Sequence, residues 1–133
     1  MSSLLLAVAA APLVVAAADY TWDGTWATSQ GGQTELTLTR TDETVHVKEA
    51  RDNKVLVEYT CKLDGKECEI RDEGHKAKVS VWVNGAKLVE VRTRGAEITR
   101  RRFTPKEGGK LDVEETELSR PGKTETIAYE RRS

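Results

Sequence analysis

The sequence is short of the residues that usually mark a catalytic or metal-binding protein. It has two histidines, two cysteines, one methionine and a single phenylalanine, with three tryptophans and three tyrosines. His46 falls in a strand-like pattern and His75 in a Gly-His turn. Neither stands at metal-ligand spacing or beside a nucleophile, so both read as sheet or surface residues. No Gly-rich phosphate loop, serine nucleophile elbow or His-Glu metal motif occurs. An excess of charge is missing too: 21 basic residues face 22 acidic ones, for a net charge of −1. That excludes nucleic-acid binding by bulk charge. At 133 residues there is no room for a multidomain enzyme. Glu114 points to one face of a strand and Glu115 and Glu117 to the other, and a solvated outer face accounts for most of these carboxylates without catalysis. The expectation is a protein that is not an enzyme, with no cofactor, no metal and no nucleic-acid partner.

One long hydrophobic run exists, and it comes first. Residues 1–18 carry no charged side chain; their apolar stretch from Leu4 to Val15 ends in Ala16-Ala17-Ala18. This is the pattern of a cleavable secretory signal, although its amino-terminal part lacks Lys and Arg. The run is too short to span a bilayer, which takes about 20 apolar residues. The expected organisation is a signal peptide over 1–18 and a single domain over 19–133. The mature protein is then secreted or periplasmic, with no stable membrane insertion. Its core is lean. Leu, Ile, Val and Phe supply only 21 of those 115 residues, a share at which near-neutral charge and regular alternation still favour a fold over disorder.

Alternation of β-branched and polar residues, interrupted by turn pairs, predicts an all-β domain. A turn at Thr41-Asp42 sets Leu38 opposite Val45 and Leu36 opposite Val47. A three-residue loop, Arg51 to Asn53, sets Val47 against Val57 and Val45 against Tyr59, with Asn53 left-handed. A turn at Asn84-Gly85 aligns Val81 with Leu88, and Trp82 with Lys87 on the other face. One at Arg94-Gly95 aligns Val91 with Ile98 and Arg92 with Glu97. Two further segments, Leu111 to Leu118 and Glu125 to Arg131, flank Ser119-Arg120-Pro121-Gly122. Eight to ten strands connected up and down, with no crossover helix, predict a closed antiparallel β-barrel, because an open sheet would leave reactive edges.

Cys61 and Cys68 flank Lys62-Leu63-Asp64-Gly65-Lys66-Glu67. An even pair this close in a secreted chain predicts a disulfide. A four-residue loop from Leu63 to Lys66 brings the two side chains closer than a two-residue turn does. Arg100-Arg101-Arg102 is the most unusual run. If Ile98 faces inward with Val91, Arg100 and Arg102 point into the barrel and require a partner such as Glu90 or an anionic ligand; otherwise they take a rim or strand-end position balanced by neighbouring glutamates. Arg100, Arg102, Trp82 and Tyr59 are therefore the candidate ligand-binding residues.

The mature chain opens with Trp22-Asp23-Gly24-Thr25-Trp26 and closes with Tyr129-Glu130-Arg131-Arg132. A Gly-X-Trp in the first strand with an arginine late in the last resembles the lipocalin and fatty-acid-binding (calycin) superfamily. The chain is also similar to small secreted bacterial proteins of lipocalin-like type, in which Gly-Thr-Trp, Leu-Asp-Gly-Lys-Glu (Leu63 to Glu67) and a final Tyr-Glu-Arg recur. The resemblance implies structural roles for Gly24, Trp26 and Arg131, with Arg131 or Arg132 stacked on Trp26 to close one barrel end. Two features depart from the fatty-acid-binding pattern. Ile127 stands two residues before the closing Tyr129, where those proteins usually carry the arginine that holds a ligand carboxylate. The stretch between Trp26 and Gln33 is too short for their helical lid. Any bound anion then depends on Arg100 or Arg102. The function this implies is a secreted barrel binding a small apolar or amphipathic molecule. The alternative is a structural or interaction module of the cell envelope that takes no small ligand.

Overall fold

A computed structural model describes residues 20–30, 32–120 and 122–132. The expected signal segment, 1–18, and Pro121 of the last expected turn lie outside these. Ten strands follow one another: β1 Gly24–Thr28, β2 Thr34–Thr41, β3 Thr44–Arg51, β4 Lys54–Lys62, β5 Cys68–Asp72, β6 His75–Asn84, β7 Lys87–Arg94, β8 Glu97–Lys106, β9 Lys110–Glu117 and β10 Thr124–Arg131. Each is antiparallel to its sequence neighbour, and β10 pairs with β1 to close the barrel. The described residues contain no helix.

The hairpins form where turn signals stand, but three pair two residues away from the expected register. Leu38 faces Val47, Val83 faces Leu88, and Val91 faces Arg100. The cause is common to all three. Asp42, Gly85 and Gly95 have φ of 51°, 63° and 61°, and each is the first of the two central turn residues. That is the φ signature of a type II′ turn, which places Gly first. Thr41, Asn84 and Arg94 therefore stay in their strands. A shift of two preserves the faces, so Leu36, Leu38, Val45 and Val47 are all buried together as expected. At the next hairpin the turn is Asp52-Asn53, both left-handed, and a bulge at Glu49/Ala50 absorbs the difference. Val47 then faces Tyr59 and Val45 faces Cys61, correcting the expected partners.

The inner face carries the core. Leu88, Phe103, Val113 and Ile127 form one cross-strand row over β7 to β10. Leu88 and Phe103 are fully buried, each worth roughly 1.5–3 kcal/mol relative to exposure. Trp26 closes one end. Its Nε1 donates to the Trp22 carbonyl at 2.9 Å, and the Arg131 guanidinium carbon lies 4.3 Å from the ring centre.

The wall is weakest between β4 and β5, whose ladder holds a single pair, Val57 with Asp72. The expected disulfide is present there, joining Cys61 to Cys68 with Cα atoms 6.1 Å apart. The connection runs from Leu63 to Glu67, one residue longer than expected. Asp64 Oδ1 accepts from the Lys66 amide at 2.9 Å, and Gly65 donates to the Val81 carbonyl at 3.0 Å.

Candidate functional site

Alternation along β7 and β8 decides what the lumen contains. Burial of Leu88 and Phe103 fixes the inward parity, so Glu90 and Arg92 of β7 and Thr99 and Arg101 of β8 also face in. The condition for Arg100 and Arg102 to enter the lumen is not met: Val91 and Ile98 stand half-buried on the outer face. Arg100 and Arg102 stand on that face with them. Arg102 Nη1 pairs with Glu114 Oε1 at 3.1 Å, each side chain about 40% exposed. Trp82 is likewise on the outer face, half-buried opposite Val89. Of the four candidate ligand residues, Tyr59 alone faces the lumen.

Tyr59 belongs to a buried polar network. Its hydroxyl donates to the Glu90 carboxylate. Glu90, 1% exposed, accepts from Arg101 Nε at 2.9 Å, from Arg101 Nη2 at 3.4 Å and from Arg92 Nη2 at 3.0 Å. Arg101 Nη1 continues across the lumen to Glu49 Oε1 at 3.0 Å, and Arg92 Nη1 reaches Asp72 Oδ2 at 3.4 Å. Of this network the sequence pattern points to Glu90 as a partner but not to Arg101, Arg92, Asp72 or Glu49. Counting alternate residues from Leu88 and Phe103 is the signal that finds the two arginines.

Charge placement sets the protonation states. Burial pushes the Glu90 carboxyl up, but Arg101 and Arg92 together outweigh it and hold the group well below the usual carboxylate range. Burial pushes the Tyr59 phenol up, and the adjacent Glu90 charge adds to it. Burial opposes the charge on Arg101, and the Glu49 and Glu90 carboxylates more than restore it. Glu90, Arg92 and Arg101 are therefore charged, beside a neutral phenol.

Two cavities adjoin it. The larger, about 780 Å³, opens beside the β4–β5 seam. Buried Tyr59, Ile70 and Ala77 form its floor, and Glu67, Lys76 and Lys78 stand at its rim. The smaller, about 220 Å³, is lined by Glu90, Arg92, Arg101, Asp72, Thr99 and further charged residues. The Tyr59–Glu90 hydrogen bond connects the lining of one to the lining of the other. Among the described residues no cluster of three or more His, Cys, Asp or Glu side chains is placed to hold a metal. No helix there is long and apolar enough to cross a membrane.

The barrel fold has counterparts among solved structures. The secretory abundant heat soluble protein 4 of Ramazzottius varieornatus superposes with a TM-score of 0.70 at 16% identity, over 86% of this chain and 96% of that one. A Schistosoma mansoni fatty acid binding protein, solved in complex with arachidonic acid, gives 0.70 at 17% identity, over 84% and 96%. Fatty-acid-binding protein 1 of Echinococcus granulosus gives 0.69 at 12%, over 84% and 97%. The fold is the calycin-type barrel. No protein-family model matches the sequence, and no curated protein matches it. Within that shared fold this chain joins β1 to β2 by only the residues between Thr28 and Thr34. On β10 it packs the half-buried Ile127 against the core.

Proposed function

We propose that this protein is a secreted, non-enzymatic barrel that binds a small amphipathic molecule at the β4–β5 seam. The observation that carries the reading is the cavity of about 780 Å³, a size within the roughly 300–1,000 Å³ of small-molecule sites. Its floor of Tyr59, Ile70 and Ala77 suits an apolar body, and the Tyr59 hydroxyl, bonded to Glu90, gives the inner end of the cavity a polar neighbour. The seam supplies a way in, because between the Cys61–Cys68 disulfide and the Val57–Asp72 pair β4 and β5 share no further ladder pair. The fatty-acid-binding neighbours lend the reading support through the fold they share with this chain. Secretion is supported by the apolar leader over 1–18 and by the disulfide, which persists in a non-reducing compartment.

Nile red, an uncharged amphiphilic dye, tests the reading. Saturable one-to-one binding is expected for the wild type and loss of it for Ala77→Trp, with an unchanged melting profile showing that the variant is folded. Absence of saturable dye binding, together with a clean apo mass in native mass spectrometry of protein from its own host, would overturn it.

A further inference from the structure

The lumen holds two arginines, the groups that ordinarily recognise a carboxylate through a planar fork. Here the protein fills that role with its own side chain. Glu90 accepts from both ends of the Arg101 fork and from Arg92. The remaining Arg101 nitrogen is taken by Glu49 and the remaining Arg92 terminal nitrogen by Asp72.

Two cations thus face three carboxylates. Arg94, 3.9 Å from Asp72 and one-third exposed, brings the balance only to zero. Glu73, Glu97 and Glu115 also line the smaller cavity and add further negative charge. An incoming carboxylate meets no free pair of donors on Arg101 or Arg92, and the excess of carboxylates lining this cavity repels it. The donor left over is Arg92 Nε, buried and without a partner beside that cavity. A single N–H matches one uncharged acceptor oxygen, whether of a hydroxyl, an ester or an amide. Tyr59 places this cluster within reach of the ligand, since the same side chain floors the larger cavity and bonds Glu90.

We propose that Glu90 is a specificity-determining residue. By occupying both luminal arginines with an internal carboxylate, it makes the barrel reject amphiphiles with an ionised carboxylate and accept those with an uncharged polar end. The inference rests on the reading of the barrel as a binding protein, and it fixes the ligand class for that reading.

The test is competition against bound Nile red by dodecan-1-ol and by dodecanoic acid, at about pH 8 where the acid is ionised. The wild type should take the alcohol at least about tenfold more tightly, the ratio given by about 1.4 kcal/mol. Glu90→Gln, which keeps the shape and removes the charge, should narrow or reverse that ratio. Glu90→Asp should retain the preference for the alcohol. If Glu90→Gln does not fold, Glu49→Gln frees one nitrogen of Arg101 and should move the ratio the same way by less. A wild type that takes dodecanoate as tightly as the alcohol, or a folded Glu90→Gln with an unchanged ratio, refutes the charge filter alone. A wild type that binds neither compound nor the dye refutes the binding reading, and the filter with it.

Discussion

Arg101 and Glu49 stand on β8 and β3, opposite each other in the ring of ten strands, and Nη1 donates to Oε1 at 3.0 Å across the lumen. The barrel is therefore bridged from wall to wall by a charged side chain. A lean set of apolar residues leaves space that this crossbeam fills. Removing Arg101 strands Glu49 without its partner and leaves Glu90 with only Arg92 and the Tyr59 hydroxyl. Loss of one member of a buried ion network costs about 3–5 kcal/mol, whereas replacing both members by apolar groups costs far less. Arg101→Met should accordingly lower the unfolding free energy, measured by urea titration, by that much. The double variant Arg101→Met with Glu90→Met should recover part of the loss. A single variant within about 0.5 kcal/mol of wild type would show that the crossbeam contributes nothing to stability.

Gly24 and Arg131 are coupled in the same way at the closed end. A Cβ on Gly24 would collide with Arg131 Nη1, and Gly24 has a φ of 143° that other residues adopt only with strain. The obstructing atom is the tip of a flexible side chain, so Gly24→Ala should swing Arg131 off the Trp26 ring. It should also break the bonds from Arg131 to the carbonyls of Asp23 and Thr21, each 3.2 Å. Arg131→Ala should cost about 0.5–2 kcal/mol for the cation–aromatic contact. In the Arg131→Ala background, Gly24→Ala should cost less than it does alone. A double-mutant cycle measures the difference, and strict additivity would mean that the two residues act independently.

Turn chemistry and alternation made the barrel legible: Asn84-Gly85, Arg94-Gly95 and Asp52-Asn53 all sit at hairpins. Register was harder to read, because a positive φ at Gly85 admits either a type I′ or a type II′ turn and the two differ by two residues in pairing. The lumen was misread for a different reason. On β7 the apolar residues Val89 and Val91 point outward while Glu90 and Arg92 point inward, the reverse of the usual rule that apolar side chains face the core. The inversion holds because Glu90 finds three nitrogen donors and the Tyr59 hydroxyl inside. Those partners come from β4 and β8 as well as β7, and no local window contains them. Glu49 follows Val45 and Val47 on the inward face of its own strand, but its partner Arg101 lies five strands away around the ring.

The disulfide and the seam it spans give a third prediction. Closing the short loop between Cys61 and Cys68 stabilises the fold by roughly 2–3 kcal/mol in the chain-entropy model. Since Val57 with Asp72 is the only other ladder link across β4 and β5, reduction should loosen this seam before any other. Hydrogen exchange should speed up in Cys68–Asp72 and the second half of Lys54–Lys62, while Leu88, Phe103 and Val113 stay protected. Uniform acceleration across all ten strands would contradict a local opening.

Alkaline pH should weaken the barrel through its buried phenols. Burial first, and then the Glu49 carboxylate, push the Tyr129 phenol up to about 12. Tyr59 is raised well above its ordinary value by burial and Glu90. In the unfolded chain both titrate near about pH 10. Between about pH 10 and 12 the folded protein keeps two protons that the unfolded chain has lost, so its stability falls as pH rises. The loss is about 1.4 kcal/mol per pH unit for each proton, and the full contribution is present below about pH 10. Urea midpoints measured across this range should decline, and Tyr59→Phe should make the decline shallower by one proton. Phenolate absorbance from these two residues should rise together with the loss of the β-sheet circular dichroism signal. Complete ionisation of all three tyrosines while that signal is intact would place Tyr59 and Tyr129 in contact with water, and with it would fall the sealed network around Glu90.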